Sequence, residues 1–133
     1  MNQYTKLAQD TIEAYIKDRK INKVPKDLPA EFYNRRAGIF VTIFNRKELR
    51  GCIGTFVATK KNIAEEIIDN AISACSKDFR FSKITPEELP DLSYEVSILS
   101  EPELVSDIKK LDAKKYGVIV ATADGRRGLL LPA

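Results

Sequence analysis

Arg50-Gly51-Cys52-Ile53-Gly54 is the stretch of this 133-residue chain whose residue types and spacing come nearest to a reactive site. In an extended segment beginning at Glu48, alternation puts Glu48, Arg50, Cys52, Gly54 and Phe56 on one face and Leu49, Gly51, Ile53 and Thr55 on the other. Arg50 and Cys52 would then lie side by side, about 6.5–7 Å apart along the strand. A thiol beside a guanidinium is a candidate nucleophile or one wall of an anion pocket. The two glycines flank it, and glycine inside a strand marks a bulge or a close approach by a ligand or backbone. On this reading Cys52 and Arg50 are the catalytic candidates. Gly51, Gly54 and Thr55, with the more distant Arg80, Arg126 and Arg127, are the candidates for holding a small anionic ligand. The bland alternative is that the cysteine is a small buried hydrophobe and the glycines only admit a packed neighbour.

The remaining composition narrows the chemistry. The chain contains no histidine, which excludes histidine-dependent triads and dyads. Cys52 and Cys75 are the only cysteines, and two thiols without histidine cannot build a four-ligand zinc site of the usual kind. No metal site is expected, and the residues name no cofactor. Any general base would have to be a carboxylate, lysine, tyrosine or bound water. Cys75 falls on an apolar helical stripe and is expected in the core. Both thiols are expected to be free in a reducing, cytoplasmic setting.

The net charge of +3 is too small to suggest a nucleic-acid binder. Residues 1–61 carry 13 Lys/Arg against 6 Asp/Glu, and residues 62–133 carry 9 against 13. A basic half can steer an anion, but lysines scattered singly or in pairs read first as solvated surface. Lys77-Asp78-Phe79-Arg80-Phe81 interleaves basic and aromatic residues as a base-stacking patch would. Its phenylalanines are expected instead to anchor the connection to the core. No apolar run approaches the length of a membrane span, and no signal-peptide pattern opens the chain.

The elements that must position these residues follow from periodicity. Tyr4, Leu7, Ala8, Ile12, Tyr15 and Ile16 predict an amphipathic helix to about Lys20. Val24-Pro25 and Leu28-Pro29 mark a loop. Residues 38–57 read as a hairpin with its turn at Asn45 to Glu48. Asn62 with Glu65 starts a second helix whose stripe runs from Ile63 to Cys75. Thr85-Pro86-Glu87-Glu88 starts a single helical turn, and Leu92 to Ile98 alternate as a half-buried strand. A short helix is expected near Ser106 to Leu111. A last hairpin is expected about Asp124-Gly125, its strands near 117–122 and 126–131. The order argues a single α+β domain over residues 1–133. Its mixed or mostly antiparallel sheet is packed by two main helices.

Leu49-Arg50-Gly51-Cys52-Ile53-Gly54 resembles the signature of the AMMECR domain family. The resemblance continues through Asp78-Phe79-Arg80-Phe81, Thr85 to Pro90, Ser93 to Leu99 with Ser100-Glu101-Pro102, and Arg126 to Pro132. It implies a compact α+β domain without a settled biochemical activity, whose functional site is the Leu49–Gly54 string. It also implies partners, because bacterial and archaeal members are described as the A component of a system with a Memo-like protein and a radical SAM enzyme. Family domains continue for several tens of residues past the Leu129-Leu130-Leu131-Pro132 block, which this chain does not. An apolar sheet edge left open there is expected to pair in a homodimer. Two functions therefore compete: a cysteine-dependent enzyme, and a non-catalytic binding or adaptor module.

Overall fold

The computed structural model describes residues 2–99 and the strand backbone of residues 118–121 and 127–130. Helix α1 (Gln3–Asp18) opens the chain. The side chain of Asn2 caps it by accepting from the Thr5 N–H at 2.8 Å, which satisfies one of the free first-turn donors. Its C-terminus closes on Arg19 in the left-handed region. Leu7, Ala8, Thr11, Ile12 and Ile16 form its buried stripe. After the proline-marked loop comes α2, a single turn (Glu31–Asn34) that buries Phe32. Sequence periodicity cannot reveal so short an element.

Strands β1 (Ile39–Asn45) and β2 (Glu48–Gly54) form the expected hairpin. Arg46 and Lys47 both take positive φ (50° and 71°), as a two-residue hairpin loop matched to strand twist requires. Helix α3 (Ile63–Ser76) follows, with the Asn62 side chain accepting from the Glu65 N–H at 2.9 Å. The turn expected from Thr85 onward is a 3-10 helix (Pro86–Asp91), which carries a Thr85–Glu88 capping box and leads into β3 (Leu92–Ile98). Strands β4 (Val118–Ala121) and β5 (Arg127–Leu130) pair with each other as an antiparallel hairpin. The helix expected near Ser106–Leu111 lies outside the described residues.

The α+β reading holds. The first sheet is antiparallel in the order β2-β1-β3, and α1 and α3 cover its inner face. Ile39, Val41 and Ile43 of the central strand are completely buried there with Ile12, Ile63, Ala64, Ile67 and Ala71. Each such isoleucine contributes about 2 kcal/mol through burial, so this layer fixes which face of β1 turns inward. Register then assigns the rest. Residues opposite Ile39, Val41 and Ile43 share the inner face, and those opposite Phe40, Thr42 and Phe44 share the outer one.

One expectation about β2 is corrected. Leu49 does not share a face with Gly51 and Ile53. The register slips between Ile43 and Phe44, so Leu49 opposes Phe44 and Gly51 opposes Ile43, which makes Arg50 the extra residue of a β-bulge. Leu49 is thereby turned to the outer face, where it is 43% exposed.

Candidate functional site

Four of the six residues in the Leu49–Gly54 string are occupied by the fold. A Cβ on Gly51 would run into the backbone carbonyl of Ala74, and one on Gly54 would meet the Phe40 ring and the Ile39 carbonyl. Both positions therefore let neighbours approach closely, the first to α3 and the second within the hairpin. Ile53 opposes Val41 and packs against the core.

Arg50 is committed to the 3-10 helix. Its guanidinium grips Glu88 through Nε (2.8 Å) and a terminal nitrogen (3.1 Å). It also donates to the carbonyls of Ser82 (2.8 Å) and Lys83 (3.3 Å). Both side chains are largely covered, at 14% and 22% exposure. The Arg50 hydrogen bond is the main cause holding Glu88 below the usual carboxylate range. The geometry explains this placement, since a bulged residue is re-aimed away from the regular pleat. Glu88 thus does two things at once, because it also accepts from the Thr85 N–H to complete the capping box.

Cys52 is held by its backbone. β2 is an edge strand, so the N–H and C=O of Cys52 point away from β1 and need partners. Asp78 supplies one, accepting from the Cys52 N–H at 3.0 Å. Arg80 supplies the other, donating to the Cys52 carbonyl at 3.2 Å. The two side chains also clasp each other through a two-pronged ion pair (2.9 and 2.7 Å). Those hydrogen bonds from Arg80 are the largest cause bringing the Asp78 pKa down to about 2, against the opposing effect of burial. Nothing in the sequence spacing signals this clasp beyond the placement of Asp78 two residues before Arg80.

The Cys52 side chain is half-buried on the outer face. Its Sγ shares a hydrogen bond of 3.3 Å with the Thr42 hydroxyl. Thr42 opposes Cys52 on one side and Glu95 on the other. Thiol, hydroxyl and carboxylate therefore stand in one row across β2, β1 and β3. Thr42 and Glu95 were not among the residues that spacing singled out. Only the strand pairing, which no local pattern encodes, brings Thr42 to the thiol and sets Glu95 one strand beyond it.

The Thr55 hydroxyl donates to Glu66 at 3.0 Å. Glu66 is wholly buried and also accepts from the Thr59 N–H, the Thr59 hydroxyl and the Lys60 N–H. Burial works to raise its pKa, yet the bonds from Thr59, Lys60 and Thr55 outweigh it and leave the carboxyl below its ordinary value. Thr55 thus ties the end of the hairpin to α3. Cys75 sits in the core as expected, its thiol pushed up to about 11 by burial, and both cysteines are free. Arg126 lies outside the described residues, and Arg127 begins β5 opposite Ala121. Phe79 corrects the expectation of an anchoring aromatic, being 96% exposed. The Asp78–Arg80 clasp on either side of it turns its side chain outward. Arg80 lies over the ring of Phe81, 5.4 Å from its centre.

A groove of about 400 Å³ at the β1–β2 turn is lined by Asn45, Arg46, Glu48, Leu49 and Arg50. A second, of about 510 Å³, lies between α3 and residues 21–24 and involves none of these residues. Among the described residues, no group of three or more His, Cys, Asp or Glu could hold a metal ion. Among the described residues, no helix is long and apolar enough to cross a membrane.

Comparison with known proteins places this geometry among relatives. The AMMECR1 family model matches residues 5–133. A Thermotoga maritima protein is 51% identical over 97% of this chain and 74% of its own length. A Clostridium acetobutylicum protein is 42% identical over 97% of this chain, which spans only 27% of that relative. The crystal structure of the uncharacterized protein PH0010 from Pyrococcus horikoshii superposes with a TM-score of 0.77 at 34% identity. That match covers 97% of this chain and 67% of the other.

Proposed function

The chain belongs to the AMMECR1 family, and from the arrangement around its signature string we propose that it is a cysteine-dependent enzyme acting on a small molecule at the outer sheet face. The observation that carries this reading is a subtraction. Arg50, Gly51, Ile53 and Gly54 are each consumed by packing or an ion pair. Cys52 and Leu49 alone turn their side chains to the outer face. The thiol is the reactive one of the two, and the Asp78–Arg80 clasp fixes its backbone from both sides. A nucleophile held on a strand by a preorganised surround is better aimed than one on a free loop. Arg50 supports this site through the Glu88 clamp, while Arg80 is the guanidinium adjoining Cys52.

The test is acyl transfer to a generic probe. With 4-nitrophenyl acetate, native protein releases 4-nitrophenolate in a burst equal to the Cys52 content, and Cys52→Ser abolishes the burst. Equal bursts in both proteins would remove the thiol from the chemistry.

Phe79 supports a second reading, that of an adaptor module. A rigidly displayed aromatic is the usual anchor of a protein interface, and partners of the radical SAM and Memo-like kinds are the ones to try. Phe79→Ser is expected to abolish co-purification with such a partner, while Cys52→Ala leaves it intact. The reverse pattern would return the site to catalysis.

A further inference from the structure

We propose that β3 is an interface on which two copies of this chain pair, edge to edge, about a two-fold axis at Val96. Ser93, Glu95 and Ser97 direct their N–H and C=O groups toward β1. They are in phase with the Leu99 N–H to Gly38 carbonyl and Arg46 N–H to Asp91 carbonyl bonds at the two ends of the strand pair. Leu92, Tyr94, Val96 and Ile98 therefore direct theirs away from the sheet. The Leu92 N–H is taken by the Leu89 carbonyl. Those of Tyr94, Val96 and Ile98 have no backbone partner among the described residues.

The two edges of the sheet are built differently. β2 is interrupted by the bulge at Arg50, and Asp78 and Arg80 occupy the outward N–H and C=O of Cys52. Such features block strand addition. β3 runs in unbroken register with β1 from Leu92 to Ile98 and contains no proline, glycine or basic residue. Its inward row of Tyr94, Val96 and Ile98 is only partly buried against the core. An open backbone edge and an incompletely covered apolar row thus coincide on one strand.

Symmetry names the occupant. The three open residues are centred on Val96, so an antiparallel second copy sets Val96 opposite its own equivalent and Tyr94 opposite Ile98. All three open N–H groups of each copy are then used, and the inner apolar row continues across the axis. On the outer face the same register sets Glu95 opposite Ser97 of the second copy, where a hydroxyl can donate to the carboxylate. Glu95 is exposed and has no ion-pair partner among the described residues. An axis at Glu95 would instead set the two carboxylates against each other and would need the Leu92 N–H that Leu89 already holds. Charge and open donors therefore select one alignment, a continuous antiparallel sheet in the order β2-β1-β3-β3-β1-β2. Nothing in it depends on the chemistry of Cys52.

Sedimentation equilibrium of the full chain from about 1 μM to 1 mM is expected to show a monomer–dimer equilibrium. Ser97→Glu, which puts a second carboxylate opposite Glu95 on both sides of the axis, is expected to weaken the dimer about tenfold, and Ser97→Lys to tighten it by a similar factor. Val96→Pro removes an outward N–H without costing a bond to β1 and is expected to give a folded monomer; should it fail to fold, the Ser97 pair decides. In a Cys52→Ala/Cys75→Ala background, a mixture of Glu95→Cys and Ser97→Cys chains is expected to cross-link on oxidation more readily than either chain alone. Cross-linking that is fastest for Glu95→Cys alone would overturn the alignment. A monomer at every concentration overturns the proposal, as does a dimer whose affinity ignores the charge at position 97. A monomer whose Tyr94, Val96 and Ile98 amides resist hydrogen exchange would overturn it in favour of an edge covered from within the same chain.

Discussion

The carboxylate of Asp78 accepts a hydrogen bond from the backbone N–H of Cys52 at 3.0 Å, across 26 positions of sequence. A side chain thereby does for an edge strand what a further strand would do, and the same carboxylate clasps Arg80, which bonds the Cys52 carbonyl. The candidate nucleophile is thus fixed by polar contacts to its main chain, and its side chain stays turned to the outer face.

Asp78 carries a pH consequence. Its pKa is brought down to about 2 in the folded chain, against about 3.9 unfolded. A depressed folded value means that stability is fully present above about pH 4 and is lost as pH falls toward 2. Asp78→Asn is expected to cost about 2 kcal/mol at pH 7. It is also expected to flatten the decline in urea midpoint between pH 4 and pH 2. A variant that keeps the parent's slope would show that Asp78 is not the group responsible.

Arg50 is predicted to be a stability residue. Arg50→Ala leaves Glu88 half-buried beside an empty site and is expected to cost about 3 kcal/mol in chemical denaturation. Arg50→Lys, which keeps the charge but cannot reach Glu88 and the two carbonyls together, should cost about 1–2 kcal/mol. A double-mutant cycle with Glu88→Gln should return a coupling of at least about 1 kcal/mol.

Gly51→Ala tests close packing. The added methyl meets the Ala74 carbonyl, and a backbone oxygen in the last turn of α3 cannot move alone. A loss of about 2–3 kcal/mol is expected. A neutral result would show that α3 slides without penalty.

The hairpin loop offers a stabilising change. Lys47 holds φ at 71°, a conformation that costs a non-glycine residue about 1 kcal/mol. Lys47→Gly is expected to raise the thermal midpoint by about 2–5 °C. A fall would mean that the flexibility glycine adds to the unfolded chain outweighs the relief.

Much of the fold is legible in the sequence because its signals are local. The stripe from Ile63 to Cys75, the Asn62 cap and the alternation from Leu92 to Ile98 each follow from one segment's periodicity. The candidate site is legible only at its centre. Cys52 stands out by type and by its glycine neighbours, yet the bulge at Arg50 breaks the alternation that placed Leu49, and no local pattern marks a bulge. Arg50 reads as the partner of the thiol because the two are close in sequence. Its actual partner, Glu88, is 38 positions away and reads locally as a cap residue. Thr42 reaches Cys52 only through strand pairing. Phe79 reads as an anchor because aromatics are usually buried, and the Asp78–Arg80 clasp that turns it outward is itself a tertiary contact.

The proposed function requires the Cys52 thiol to be a reachable, reactive group on the outer sheet face of the folded chain. Iodoacetamide labelling of the Cys75→Ala protein at pH 7, with the modified residue located by mass spectrometry, tests it directly. Stoichiometric labelling of Cys52 within minutes, with the thermal unfolding transition intact, is the predicted result. Labelling that begins only when denaturant unfolds the chain would contradict the account and make Cys52 a packing residue.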